Sequence, residues 1–349
     1  MEKQTKSARE ILQDYRGKKI RIMEVCGTHT HEIFRLGIRG LLSPDLQLIS
    51  GPGCPVCVTP VDFIDEAVYL ALEKGVTICT FGDLVRVPGT KMSLAGARAR
   101  GAAVKVVYSP MDAVDYAAGH PDTQVCFLSV GFETTTPSSC LAVQKAKQEG
   151  LHNFTILTAN KTMPSAYEAM KDAADFYLYP GHVHAITGTK DCLDMLDKGV
   201  SGVVAGFTGK EILTALAVGV AKAQKGEPFF VNCYPRVVTE KGSPAAQKLV
   251  AEMMEPCDAR WRGIGVLKDS GVKLRPQWGD YDARVKFDIK GIESRENPAC
   301  RCGDVLQGKC SPSDCRVFGK GCTPEHPVGA CMVSGEGACS AFYLYGGII

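Results

Sequence analysis

Sixteen cysteines in 349 residues are the chemically telling part of this sequence. Seven of them fall within the last 50 residues: Cys300, Cys302, Cys310, Cys315, Cys322, Cys331 and Cys339. Thiolates gathered from loops are soft donors that suit an iron–sulfur cluster or a structural zinc. The region has neither the paired CxxC knuckles of zinc modules nor the CxxCxxC run of bacterial ferredoxins. Spacing therefore predicts a metal site and leaves iron–sulfur and zinc both open. Buried, unreactive cysteines are the bland alternative, and their density argues against it.

Cys54-Pro55-Val56-Cys57 is a second centre. Two thiols separated by two residues can close a small disulfide ring. At a helix N-terminus the first thiol gains thiolate character from the dipole and free N–H groups. We read it as a redox dithiol; half of a zinc site is the alternative, and no second CxxC completes it. Cys26-Gly27-Thr28-His29-Thr30-His31 is the third. A cysteine at a strand end with two nearby histidines offers thiolate and imidazole ligands to a metal. The competing reading is a helix-capping turn with exposed histidines. Two weaker candidates are Glu133, in Gly131-Phe132-Glu133-Thr134-Thr135, and His182, in Pro180-Gly181-His182-Val183. A capping role for the first and a structural histidine for the second are the defaults. Cys79, Cys126, Cys140 and Cys192 sit in apolar segments and read as core.

The elements that must position these residues alternate between strand and helix. Strands are expected at residues 20–25, 46–50, 76–80, 104–108, 124–130, 155–159, 175–179 and 202–205. Helices are expected at 31–42, 60–73 and 138–148. In the helix at 60–73, Phe63, Ala67, Leu70 and Ala71 share one face. Apolar strands separated by helices imply parallel sheets covered on both faces. The fold class is α/β: two doubly wound parallel-sheet domains at 1–119 and 120–225, then a Cys-rich domain at 226–349. Sites in such sheets lie at the carboxyl ends of strands, where the CGTHTH and GPGCPVC segments fall. After residue 225 long periodic helices are not expected.

Composition narrows the function. With 40 basic and 38 acidic residues the formal net charge is +2, which gives no footprint for nucleic acid or an anionic membrane. Residues 1–19 are charged and lack the apolar core of a signal peptide, and no apolar run reaches bilayer length. A cytoplasmic protein is expected, in which clustered thiols serve metal or redox chemistry.

Taken together the motifs resemble the hydrogenase maturation factor HypD family over nearly the whole chain. The carriers are MEVCGTHTH (23–31), SGPGCPVCVTP (50–60), TFGDLVRVPG (80–89), VGFETTTP (130–137), PGHV (180–183), ENPACRCGDVLQGKCSPSDC (296–315) and CTPEHPVGACMVSGEGAC (322–339). The resemblance implies two α/β domains plus a [4Fe–4S] domain. Its cluster ligands would be Cys300, Cys315, Cys322 and Cys339, with Cys302, Cys310 and Cys331 outside the set. It implies a scaffold with redox activity on which the Fe(CN)2CO group of [NiFe] hydrogenases is assembled. Cys26 would hold the iron and Cys54/Cys57 would be the redox pair. Thr28, His29, His31, Glu133 and His182 would line the site. Implied partners are a small HypC-type chaperone, a HypE-type cyanide donor and, indirectly, the hydrogenase large subunit. Gly206-Phe207-Thr208-Gly209-Lys210-Glu211 departs from the GFEP-type segment usual there. An iron–sulfur electron carrier or disulfide reductase acting on a thiol partner is the alternative function, and a zinc-stabilised binding module is a third.

Overall fold

A computed structural model describes residues 6–346. Its strands, in chain order, are β1 (Ile20–Glu24), β2 (Leu46–Ser50), β3 (Thr77–Thr80), β4 (Val104–Val106), β5 (Val125–Ser129), β6 (Phe154–Thr158), β7 (Phe176–Pro180), β8 (Gly202–Ala205), β9 (Phe230–Asn232), β10 (Met254–Trp261) and β11 (Gly265–Leu274). The α/β architecture with parallel sheets is present. One sheet has the order β2-β1-β7-β8-β9 and the other β4-β3-β5-β6. All pairings within both sheets are parallel. Most of their strands are apolar at nearly every position, as strands covered on both faces must be.

Sheet membership does not follow chain order. β1 pairs with β2 on one side and with β7 on the other, Ile22 opposite Phe176. Arg21 and Asp175 tie that second pairing at its edge, through the Arg21 N–H to Asp175 at 2.6 Å. The whole second sheet is thus inserted between β2 and β7. The expected boundary at 119/120 runs through this second sheet, and β9 completes the first sheet from inside the segment expected to be Cys-rich. Alternation of elements marks where strands occur but carries no information about which strands neighbour each other.

The helix expected at 60–73 spans Val61–Glu73 and buries Phe63, Ala67, Leu70 and Ala71, together with Ile64. The helix expected at 31–42 instead begins at Gly27 and ends at Arg35, followed by a 3-10 turn at Ile38–Leu41. Gly37 takes a left-handed φ of 62° between them, which breaks the helix. Beyond 225 the expectation of no long helix fails at Pro244–Met253, where Ser243 caps a ten-residue helix with Pro at its start. It leads into the antiparallel hairpin β10–β11, whose register shifts between Cys257 and Ala259. A core that includes Trp261, Tyr167, Tyr177 and Tyr179 also holds Cys54, Cys57, Cys302, Cys322, Cys331 and Cys339, so the thiols are gathered where the sheets, hairpin and C-terminal segment meet. Among the described residues no helix is long and apolar enough to cross a membrane.

Candidate functional site

β1 and β2 are in register, Glu24 opposite Ser50, so the segments that follow them leave the sheet side by side. Cys26 is the N-cap of the helix Gly27–Arg35, with extended backbone. Cys54 is the N-cap of the short helix Pro55–Val58, and its sulfur accepts the Cys57 N–H at 3.2 Å. The two turns are clamped together: the Gly27 N–H donates to the Gly53 carbonyl at 2.9 Å. A Cβ on Gly53 would lie 2.0 Å from the Cys26 nitrogen, so only glycine permits the approach. The expected convergence of CGTHTH and CPVC is therefore present.

Around Cys26 the side chains come from three parts of the chain. His182, at the start of the helix Gly181–Thr187, brings Nε2 to 3.8 Å from the Cys26 sulfur. His29 is fully buried, and its Nε2 bonds the Gly206 carbonyl at 2.9 Å. A carbonyl only accepts, so that nitrogen carries the proton and the Nδ1 lone pair is left without a partner. Phe207 lies between the two imidazoles, 4.8 Å from each ring centre. Burial pushes both imidazoles down to about 4, so each is neutral at pH 7. Burial likewise pushes the Cys26 thiol up to about 12, against the N–H groups of His29 and Thr28 that favour thiolate. A soft metal that displaces the proton would reverse that preference.

Thr28 donates to Glu336 at 2.8 Å. A Cβ on Gly27 would meet the Glu336 side chain at 2.6 Å, which brings that carboxylate over the start of the helix. His31 faces away from Cys26, bonding the Gly335 carbonyl at 3.2 Å and meeting Tyr345 edge-on. Glu133 accepts the Met163 N–H at 2.8 Å and has no hydrogen bond to Cys26, His29 or His182.

The C-terminal thiols gather behind Cys57. Cys331 is fully buried in the same core as Cys57, Cys302 and Cys339. The Cys300 and Cys302 sulfurs are 3.2 Å apart. Gly329 leaves the space they occupy: a Cβ there would lie 2.4 Å from the Cys300 sulfur and 2.5 Å from that of Cys302. Cys322 accepts the Val328 N–H at 3.3 Å beside them. Among the described residues no Cys, His, Asp and Glu side chains form a ready metal-binding group of three or more. Cys322 and Cys339 are buried in one core, with Cys300 packed against it, and thiolates are the donors that an iron–sulfur cluster takes. Cys315 instead heads its own turn, its carbonyl accepting the Phe318 N–H.

The HypD family model, described as "Hydrogenase formation hypA family", matches residues 2–346. The chain belongs to the HypD family. The hydrogenase maturation factor HypD of Rhodobacter capsulatus is 42% identical over 341 residues, which cover 95% of this chain and 90% of that relative. The HypD proteins of Azotobacter vinelandii and Escherichia coli (strain K12) are 40% and 42% identical, each over 94% of this chain and 90% of the relative.

Placing the HypD motifs in three dimensions adds residues that sequence reasoning missed. Glu336 and Phe207 reach the Cys26 region from distant segments, and no local pattern marked them. Cys302 and Cys331, which the family resemblance left outside the cluster set, share a core with Cys57, Cys322 and Cys339. Their CxC and CxxxxxxxC spacings carried no signal that separated them from Cys310. Glu211 accepts the Phe207 and Thr208 N–H groups at 3.1 Å and pairs with Arg236. That arginine pulls the Glu211 carboxyl down to about 2.

Proposed function

We propose that this chain acts in hydrogenase maturation as the scaffold on which the Fe(CN)2CO group is assembled, with a HypC-type chaperone and a HypE-type cyanide donor as partners. The supporting observation is the clamp between the Cys26 turn and the Cys54–Cys57 turn, which sets an iron-ligating thiol beside a two-electron donor. Iron is cargo here. The Cys26 thiol loses its proton to solvent as iron binds, beside the neutral His182 imidazole, whose Nε2 stands 3.8 Å away. His29 and Phe207 hold the neutral imidazole face against the site and exclude water.

Release of cyanide from a thiocyanate on the donor consumes two electrons: R–S–CN plus two electrons gives R–S⁻ and CN⁻. Cys54 and Cys57 supply them by forming one S–S bond and releasing two protons, one to the donor's thiolate and one to solvent. Cys331 then attacks the Cys57 sulfur, and Cys302 attacks Cys331, which regenerates the first dithiol and leaves a Cys302–Cys331 disulfide. A [4Fe–4S] cluster on Cys300, Cys315, Cys322 and Cys339 would supply single electrons when bound. Cys54 and Cys57 are 3% and 0% exposed, so reduction of any partner-borne group requires the Cys54–Cys57 turn to open.

The test is anaerobic purification with the HypC-type chaperone, followed by infrared spectra and iron and sulfide analysis. Cyanide and carbonyl stretches are expected, with sulfide in proportion to iron. One zinc and no sulfide would replace the cluster with a zinc module. Cys331→Ala is expected to keep the folded chain but to trap Cys54–Cys57 as a disulfide after dithionite treatment, while the wild type is reduced. Alkylation followed by mass spectrometry reads the difference; equal reduction in both chains would remove Cys331 from the route. Glu336→Gln, which acts beside the iron rather than on it, is expected to lower iron retention by roughly 10–100-fold without abolishing it.

A further inference from the structure

A cleft of about 440 Å³ opens at the carboxyl end of β6, against the β10–β11 hairpin. It is separate from the Cys26 region and takes no part in the chemistry above. Its wall holds Lys161, which is 3% exposed. The ammonium donates one hydrogen bond, to the Arg260 carbonyl at 2.8 Å, and stands 5.5 Å from the Trp261 ring centre. Among the described residues it forms no ion pair. The acids of the cleft are already engaged: Glu66 with Arg284 at 2.7 Å, Asp62 with Arg260 at 3.7 Å, and Asp282 with the Arg284 N–H at 2.8 Å. Lys273 of β11 pairs with Glu255. Lys161 is thus the cation of this cleft that lacks a counter-charge.

Buried charges are normally paired, because desolvation of an isolated ion is costly. Burial lowers Lys161 to about 8, against the pull of Asp62, so it still carries its charge at pH 7. Two further polar groups on the same wall are unsatisfied. Asn160 takes the Ser129 hydroxyl on its oxygen at 2.5 Å, and its buried amide nitrogen has no partner. The buried Thr158 hydroxyl has none either. Thr158, Asn160 and Lys161, within four residues at a strand's carboxyl end, line the cleft and carry unused donors, at the place where parallel sheets bind ligands.

We propose that this cleft binds a small carboxylate, its oxygens paired with the Lys161 ammonium and served by Asn160 and Thr158. A monoanion fits better than a phosphate or sulfate dianion. Asp62, Glu66, Asp258 and Asp282 line the cleft, and they repel a second negative charge.

Calorimetric titration of the full chain with acetate and propionate, at ionic strength fixed with chloride, tests this. Both are expected to bind saturably and to raise the melting temperature, and sulfate and phosphate to do neither. Lys161→Met is expected to abolish binding, and Thr158→Val to weaken it. The binding measurement on the wild type stands even where a variant fails to fold. The pH dependence has a definite sign. With its pKa lowered in the fold, Lys161 makes the unfolded chain the better proton binder, so its part of the stability rises with pH from about 8 to ~10.4. Acetate is expected to flatten that rise, and its stabilising effect to fade above about pH 8. Carboxylates that change neither heat nor melting temperature, or sulfate that matches them at equal ionic strength, would overturn the proposal.

Discussion

Cys26→Ala is expected to yield a folded chain that shows no cyanide or carbonyl stretching bands when purified anaerobically with a HypC-type chaperone. The reasoning starts from ligand count. One thiol of this chain points at the site, with His182 Nε2 at 3.8 Å and no second cysteine on that turn. Removing the soft donor removes the bond that holds the iron, so the effect is loss rather than attenuation. The fold should tolerate the change. Cys26 is 2% exposed, and truncating so small a side chain costs about 1 kcal/mol of stability. A modest fall in melting temperature with complete loss of the bands is the signature. Full bands in the variant, with maturation activity retained, would show that the iron is held elsewhere.

Gly53→Ala is expected to do comparable damage without touching a thiol. An added Cβ would lie 2.0 Å from the Cys26 nitrogen and 2.3 Å from both the Cys26 Cα and the Val25 carbonyl carbon. All three are backbone atoms, so no side chain can rotate away. One of the two turns must move, and the Gly27 N–H to Gly53 carbonyl bond is lost with it. Overpacking of this kind costs ~1–3 kcal/mol, and the rigid neighbours here place it at the upper end or beyond. Gly40→Ala is the control. It meets nothing within 4 Å and takes no left-handed φ, so a change within ~0.5 kcal/mol is expected. Denaturant unfolding gives the stabilities, and infrared spectra of the purified complexes report whether the Cys26 site survives. A Gly53→Ala chain as stable as the wild type, with full bands, would mean the turns are not held against each other.

The strands and the principal helix could be read from the sequence because their signals are local. The face shared by Phe63, Ala67, Leu70 and Ala71 follows from helical spacing, and the buried strands follow from short apolar runs. The helix at Gly27 was placed late because Thr28, His29 and Thr30 have no apolar periodicity; its start is fixed by the end of β1, not by composition. The hairpin β10–β11 was missed for a related reason. Many of its residues are exposed or half-buried, so no continuous apolar run announced it.

The sequence by itself determined the chemistry available: which residues carry thiols, which thiols are paired at CxxC spacing, and which family's motifs the chain carries. Only the tertiary structure decided which of those groups meet. β1 joins β2 and β7, and so His182 is carried to Cys26 across 156 residues of chain. The C-terminal segment folds back so that Glu336 reaches Thr28 and Cys331 reaches Cys57. Thiol roles carried over from the family motif left Cys302 and Cys331 outside the cluster set. Their place in one core with Cys57 comes from packing between segments far apart in the chain, and a pattern of neighbours in sequence cannot contain it.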